Sequence, residues 1–130
     1  MRHNNTKIHL GRTAEHRRAL FRNLLSSLFL HGSLITTDAK AKELKRRADR
    51  LIGWAREGTL GARRHAAAEL FGSEAVKKLF EYWGPAFRDR SSGFTRLIKV
   101  GQRSGDGAPM TMIELVGAHP GPGKATAATE

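Results

Sequence analysis

The chain has no cysteine, a single tyrosine and few acidic residues, and these scarcities narrow what the protein can be. Without cysteine there are no disulfides and no thiolate metal sites, and the redox compartment is left open. The longest apolar cluster, residues 20–30, is interrupted by Arg22, Asn23, Ser26 and Ser27, so it is not predicted to span a bilayer. The first eleven residues lack an apolar signal core, and we therefore expect a soluble, intracellular protein.

Sequence motifs for catalysis and metal binding are also missing. The six histidines have no HxxxH or HExxH spacing: His3, His9, His16, His31, His65 and His119. Neither GxSxG nor the phosphate-binding pattern GxxxxGK[ST] occurs, and the acids are too dispersed for Mg²⁺-dependent phosphoryl transfer. The sequence therefore predicts a protein that is not an enzyme and that uses no metal, cofactor or small-molecule substrate.

Positive charge is abundant and unevenly placed. The formal net charge is +11 on 130 residues, and residues 1–65 hold 15 Lys and Arg against 5 Asp and Glu. Residues 66–130 hold 8 against 7. Arginine outnumbers lysine 15 to 8, which favours bidentate recognition of phosphate over simple solubilising charge. This asymmetry predicts a polyanionic partner for the first half of the chain.

Two basic segments begin the chain. Residues 1–12 follow neither a helical nor a strand period, so we expect an extended basic arm that a partner would order; a frayed terminus without contacts is the alternative. Thr13 is predicted to cap a first helix that ends near His31, with Gly32 as the C-cap. The predicted buried side of this helix comprises Ala14, Phe21, Leu24, Leu25 and Leu28. Its predicted basic side comprises Arg17, Arg18 and Arg22.

The segment from Ser33 to Arg56 organises the rest of the chain. Its β-branched start, residues 34–37, predicts a strand, and Asp38 stands where an N-cap carboxylate would begin a helix. The apolar residues of this second helix form one stripe at helical spacing: Ala41, Leu44, Ala48, Leu51, Ile52 and Ala55. Its other faces carry six cations: Lys40, Lys42, Lys45, Arg46, Arg47 and Arg50.

Trp54 lies on the charged side of the second helix, four residues after Arg50. An aromatic ring among arginines can stack on a nucleobase. It can also pack under a neighbouring helix, with arginine stems lying across it. We favour packing.

The remaining elements follow from turn signals and a change of period. Gly58 is predicted to end the second helix, and Thr59 to cap a third over residues 60–71. A fourth starts at Ser73, has Val76, Leu79, Phe80 and Trp83 as its core stripe, and is predicted to break at Gly84-Pro85. Residues 94–100 and 110–116 predict strands, and the hairpin loop 101–109 can reach a partner through Arg103. The low-complexity residues 117–130 are predicted to be disordered.

The predicted order of elements is α-β-α-α-α-β-β. Two closing strands need a third to make a stable sheet, and residues 34–37 can supply it. The sequence thus predicts an α+β fold in two layers, with helices packed on one face of a small three-stranded sheet. Residues 13–116 form the single domain, preceded by the basic arm 1–12 and followed by the tail 117–130.

The basic elements are typical of RNA binding. A strand separates the two basic helices, which does not favour a helix-turn-helix unit that reads DNA. RNP-type aromatic sequence is missing from the strands. A basic arm, arginine-bearing helix faces and basic loop tips are typical of proteins that bind folded RNA through its shape and phosphates. The alternative is a free nucleic-acid-binding chaperone or regulator that uses the same charge.

Four segments carry a resemblance to a known family: MRH at 1–3, HRRALFRNLLSSL at 16–28, ITTDAKAKELKRRADRLI at 35–52, and GFTRLIKVGQRSGDGAPMTMIELV at 93–116. In this order they resemble the bacterial ribosomal protein L17 family over about residues 1–116. The resemblance implies a structural constituent of the large subunit of the cytoplasmic ribosome that binds 23S-type rRNA. It also implies ribosomal protein neighbours, notably of the L32 type.

The predicted RNA-binding residues come from two sources. Ten match basic positions of the family: Arg2, His3, His16, Arg17, Arg22, Lys40, Lys42, Arg96, Lys99 and Arg103. The charge pattern adds Lys7, Arg12, Arg18, Lys45 and Arg46. The sequence departs from the family at Asn4-Asn5-Thr6, where the arm usually has further basic residues. The tail after Val116 lies outside the shared core, so no role is carried to it.

Overall fold

The structure is a computed structural model that describes residues 13–116, so the predicted arm and tail lie outside the described residues. Its elements, in chain order, are α1 (Ala14–His31), β1 (Ser33–Thr37), α2 (Asp38–Glu57), α3 (Leu60–Glu69), α4 (Ser73–Lys78), a π-helical turn (Leu79–Trp83), α5 (Gly84–Ala86), β2 (Thr95–Gln102) and β3 (Pro109–Leu115). The predicted α+β order is confirmed.

The three strands form one antiparallel sheet in the order β1-β3-β2. β3 is central, and its Ile113 pairs with Leu34 of β1 on one side and Leu97 of β2 on the other. Side chains alternate along β3, and Thr111, Ile113 and Leu115 are buried. The helices pack against this sheet, as the sequence predicts.

Helix α1 begins and ends at the predicted caps. The Thr13 hydroxyl accepts a hydrogen bond from the His16 amide at 3.3 Å, and Gly32, at φ 88°, donates its N–H to the Leu28 carbonyl. The predicted core residues from Phe21 to Leu28 are buried. The prediction for Ala14 is wrong, because the first turn of α1 extends past the core and leaves Ala14 exposed.

Helix α2 buries all six residues of its predicted apolar stripe. The predicted N-cap, Asp38, is wrong by one residue: Thr37 is the extended N-cap and Asp38 is the first helical residue. β1 runs directly into α2, and the Asp38 carboxylate faces β3. There it accepts a hydrogen bond from the Thr111 hydroxyl at 2.8 Å.

The helix that begins at Ser73 does not break at Gly84-Pro85, contrary to the prediction. A π-helical turn precedes Pro85, and the Gly84 N–H donates to the carbonyl five residues back, at Leu79. This wider turn accommodates a proline, which has no N–H and whose ring would clash with a carbonyl in a regular α-helix. Gly84 also lies against α2, where an added Cβ would stand 2.8 Å from the Ala55 carbonyl oxygen.

Several element boundaries differ from the predictions. α3 ends at Glu69, and Leu70 turns inward in an extended conformation, so the chain can bury that side chain. β2 runs two residues further than predicted, to Gln102, because a β-bulge between Lys99 and Gly101 lets the pairing continue. β3 begins one residue earlier than predicted, at Pro109. The predicted loop 101–109 therefore shortens to residues 103–108.

Trp54 packs between helices, as favoured from the sequence. Its half-buried ring stacks on His65 of α3, with centroids 5.2 Å apart and planes 26° apart. The Arg50 guanidinium carbon lies 5.6 Å from the Trp54 ring centroid. The ring is therefore part of the α2–α3 contact.

Candidate nucleic-acid interface

A groove lined with arginines lies where α1, α2 and α3 meet. It encloses about 510 Å³ and is lined by Ala14, Arg17, Arg18, Glu43, Arg46, Arg47, Arg50 and Glu69. We call it the arginine groove. Four of its residues belong to α2 and lie at i, i+3, i+4 and i+7, which places them on one helix face: Glu43, Arg46, Arg47 and Arg50. The first turns of α1 and the end of α3 close the two sides.

Glu43 is the buried acid of the arginine groove. Its side chain is 5% exposed, and its two carboxylate oxygens accept hydrogen bonds from Nη2 of Arg46 at 3.0 and 2.8 Å. Nε of Arg47 donates to the same carboxylate at 2.9 Å. Burial raises the pKa of Glu43, but the hydrogen bonds from the two arginines outweigh burial and hold the pKa below its usual value. Glu43 is therefore ionised at neutral pH.

Aromatic rings support two arginines of the groove. The Arg47 guanidinium carbon lies 4.4 Å from the centroid of the Phe21 ring, which joins α2 to α1. Arg50 lies over Trp54 and approaches Glu69 at 3.8 Å, too far for a hydrogen bond. These contacts restrict the movement of both guanidinium groups.

The α1 side of the arginine groove carries predicted site residues. Arg17 and Arg18 line it, and His16 is exposed one residue earlier. Arg18 is exposed and makes no hydrogen bond or ion pair with any residue between 13 and 116. The structure thus brings Arg17, Arg18 and Arg46 of the predicted set together.

Two other predicted cations of α2 lie elsewhere and have internal partners. Lys42 is 63% exposed and forms an ion pair with Asp38 at 3.0 Å. Lys45 donates to the Thr95 carbonyl at 3.0 Å and hydroxyl at 3.1 Å, and also to Asp49 at 3.4 Å. Lys45 therefore ties α2 to β2, and its three donors are committed.

Arg22 and Lys40 lie closer to the interior than the sequence suggests. Arg22 is half-buried and donates from Nη2 to the Leu70 carbonyl at 3.1 Å. Lys40 is 6% exposed, so its predicted place on an exposed cationic face is wrong. α2 packs against both the sheet and neighbouring helices, which widens its buried face beyond the apolar stripe.

The predicted residues of the sheet edge and hairpin are exposed or half-buried at the surface. Arg96 forms a cross-strand ion pair with Glu114 at 2.8 Å. Lys99 is exposed and has no ion pair within the described part of the chain. Arg103 forms a bidentate pair with Asp106 at 2.6 and 3.1 Å, which raises the pKa of Arg103 and holds the pKa of Asp106 far below its usual range.

The structure adds two arginines to the candidate interface that the predicted set omits, Arg47 and Arg50. Both line the arginine groove beside Arg46. Their spacing from Glu43, four and seven residues, could have predicted their place in the groove, because residues at this spacing lie on the same face of a helix. Four predicted residues, Arg2, His3, Lys7 and Arg12, lie outside the described residues.

Residues 13–116 contain neither a cluster of metal ligands nor a helix that could cross a membrane. No group of three or more His, Cys, Asp or Glu side chains in this range could hold a metal ion. None of the helices in this range is both long enough and apolar enough to cross a membrane.

Comparison with known proteins identifies the family. The family model described as Ribosomal protein L17 matches residues 20–116. A large ribosomal subunit protein bL17 from Trichlorobacter lovleyi is 49% identical over 116 residues, covering 89% of this chain and 94% of that protein. The protein of the same name from Gemmatimonas aurantiaca is 51% identical, covering 89% of this chain and 98% of its own length. The one from Desulforapulum autotrophicum is 47% identical, with 89% and 97% covered.

These matches cover most of the described residues and confirm the resemblance carried by the sequence segments. The chain belongs to the ribosomal protein L17 family, whose members are structural and non-enzymatic.

Proposed function

We propose that this chain is a structural constituent of the large ribosomal subunit that binds and stabilises folded large-subunit rRNA of the 23S type. Proteins of its family sit in the cytoplasmic ribosome. The observation that carries the proposal is the excess of 15 cations over 5 acids in residues 1–65, within a member of a ribosomal protein family. Such an excess favours a polyanion, because each neutralised phosphate releases condensed counterions.

The proposed interface has three parts. The arginine groove presents guanidinium groups from α1 and α2, and Lys42 adds an exposed cation of α2 outside the groove. The hairpin presents Lys99 and Arg103. The segment 1–12 adds the cations Arg2, Lys7 and Arg12 and the histidine His3. Together they favour recognition of RNA shape and phosphates over base reading.

Ribosomal proteins are the second class of partner in this proposal. A family member in the large subunit has neighbouring ribosomal proteins, and we propose a protein of the L32 type among them. Crosslinking of intact large subunits, followed by mass spectrometry, tests this partner. Crosslinks from this chain to rRNA alone, or only to other ribosomal proteins, would contradict it.

Sedimentation tests the proposed function. The full chain, carrying a small affinity tag, should cofractionate with the large subunit on a sucrose gradient. It should remain there at about 0.5 M salt, where exposed charge pairs are strongly screened. Recovery mainly in the free-protein fractions would contradict the proposal and would favour a free nucleic-acid-binding chaperone or regulator.

A further inference from the structure

We infer that the arginine groove is a binding site for consecutive phosphates of an RNA backbone. In this site Glu43 positions Arg46 and Arg47 without neutralising the positive charge of the groove. The inference rests on the proposed function, since rRNA supplies the phosphates. It adds a defined location and assigns separate roles to the residues of the groove.

The charge of the groove remains positive after its acids are counted. Five arginines and two glutamates line it, which leaves a formal excess of three positive charges. Guanidinium groups crowded around one groove repel each other, and an anion between them relieves that repulsion. The positive charge of the groove therefore favours the binding of more than one phosphate.

Glu43 leaves most donors of its two partners available. Arg46 uses only Nη2 on the carboxylate, and Arg47 uses only Nε. Within residues 13–116, Nε and Nη1 of Arg46 and both Nη atoms of Arg47 make no hydrogen bond. The acid thus holds both guanidinium groups in place and leaves these N–H groups without a hydrogen-bond partner in the described part of the chain.

Two further arginines are still less committed. Arg18 has no partner among the described residues, and Arg50 has only the 3.8 Å approach to Glu69 and the ring of Trp54. The contact between the Arg50 guanidinium and the Trp54 ring uses none of the N–H groups of Arg50 for a hydrogen bond. A ligand can therefore bind Arg18 and Arg50 without displacing any hydrogen bond of the described residues.

The ligand chemistry follows from the lining. The guanidinium fork matches the oxygens of a phosphate group. None of the residues that line the groove is aromatic, so the groove offers no aromatic ring for base stacking. Donors spread over α1 and α2 suit a chain of phosphates, because a single inorganic phosphate would meet only some of them.

A matched pair of double variants tests the inference on the full chain. The groove variant combines Arg18→Gln with Arg50→Gln, and neither residue contacts Glu43. The control combines Arg64→Gln with Lys77→Gln, which removes the same charge from exposed cations that have no partner within residues 13–116. Binding to one in vitro large-subunit rRNA transcript is measured against salt concentration.

The slope of log K against log[salt] distinguishes the outcomes. Each lost phosphate contact should reduce its magnitude by about 0.7–0.9, so the groove variant should lose about 1.4–1.8. The control should lose less than half as much. Equal losses from the two double variants, or no loss from the groove variant, would overturn the inference while leaving the proposed function intact. A wild-type chain that fails to bind the transcript would overturn both.

Two further arms complete the test. If the double groove variant melts well below wild type, Arg18→Gln alone replaces it, with an expected loss of about 0.7–0.9 in slope. Inorganic phosphate is titrated at constant ionic strength while the arginine Nε–H resonances are followed by NMR. Two results together would assign the groove to free phosphate and overturn the RNA inference. Inorganic phosphate would saturate the wild-type protein at submillimolar concentration, and the groove variant would keep the wild-type salt slope for RNA binding.

Discussion

Glu43 and Arg47, one turn apart on α2, form an ion pair of 2.9 Å in which the acid is 5% exposed and the arginine 24% exposed. Arg47 also covers the Phe21 ring, so this pair links the polar groove to the apolar core. Charge and packing are therefore coupled at this position. Substitutions at Glu43 should affect stability as well as RNA binding.

Removing the charge of Glu43 should destabilise the fold. Glu43→Gln leaves Arg46 and Arg47 without their anion, and we expect the free energy of unfolding to fall by about 1.5–3 kcal/mol, the range for a hydrogen bond to a charged group. Urea unfolding followed by circular dichroism measures it. Glu81→Gln is the control, because Glu81 is exposed and has no ion pair within residues 13–116. Equal effects from the two changes would contradict this prediction.

Acidification should destabilise the protein through the same carboxylate. Hydrogen bonds from Arg46 and Arg47 outweigh burial and lower the pKa of Glu43 in the folded state. A lowered pKa means that the unfolded chain binds the proton more readily. The stabilising contribution is full above the ordinary pKa of 4.5 and is lost as the pH falls through the folded-state value.

Thermal melting at a series of pH values tests that dependence. The melting temperature of the wild type should fall as the pH is lowered below about 4.5, and Glu43→Gln should show a smaller fall. Asp38 also has a lowered pKa, through hydrogen bonds from Lys42 and Thr111, so some acid sensitivity should remain in the variant. Identical pH profiles for variant and wild type would rule out the role given to Glu43.

Gly84 should be intolerant of a methyl group. An added Cβ would stand 2.8 Å from the Ala55 carbonyl oxygen, a backbone atom that cannot move aside as a flexible side chain could. We expect Gly84→Ala to lower stability by about 1–3 kcal/mol, as overpacking usually does. Gly53→Ala is the control, because a Cβ there meets nothing within 4 Å, and it should stabilise α2 by about 0.5–1 kcal/mol. A stabilised Gly84→Ala variant would show that the two helices are not in close contact.

The two faces of α2 should respond differently to substitution. Lys42→Glu should weaken binding to the rRNA transcript with little change in stability, since Lys42 is 63% exposed. Leu44→Ala should lower stability by about 2–5 kcal/mol, because the side chain is completely buried. Denaturant unfolding and a filter-binding assay separate the effects. Similar destabilisation by both variants would mean that α2 is oriented differently.

The segment 1–12 should contribute to RNA affinity but not to the described core. Deleting residues 2–12 removes Arg2, Lys7 and Arg12. The salt slope for rRNA binding should then decrease in magnitude by about 2, if each cation neutralises one phosphate. The melting temperature should be almost unchanged. An unchanged slope after deletion would exclude this segment from the interface.

Local sequence patterns determined most of the fold. The caps at Thr13, Gly32 and Gly58, the apolar stripe of α2 and the two hairpin strands all depend on residues close together in the chain. Helical spacing and turn chemistry act over a few residues, so a single sequence is enough to predict them. The segments shared with the L17 family were equally visible without a structure.

Only the tertiary structure decided which cations are committed and which are available. Lys45 is bound by Thr95, 50 residues away, and Arg22 by Leu70, 48 residues away. The Asp38 carboxylate, predicted to cap α2, instead accepts a hydrogen bond from Thr111, 73 residues away. Such partners leave no periodic signal, because they depend on how α2 is oriented against the sheet and the other helices. For the same reason a proline could remain inside a helix and five arginines could converge on one groove.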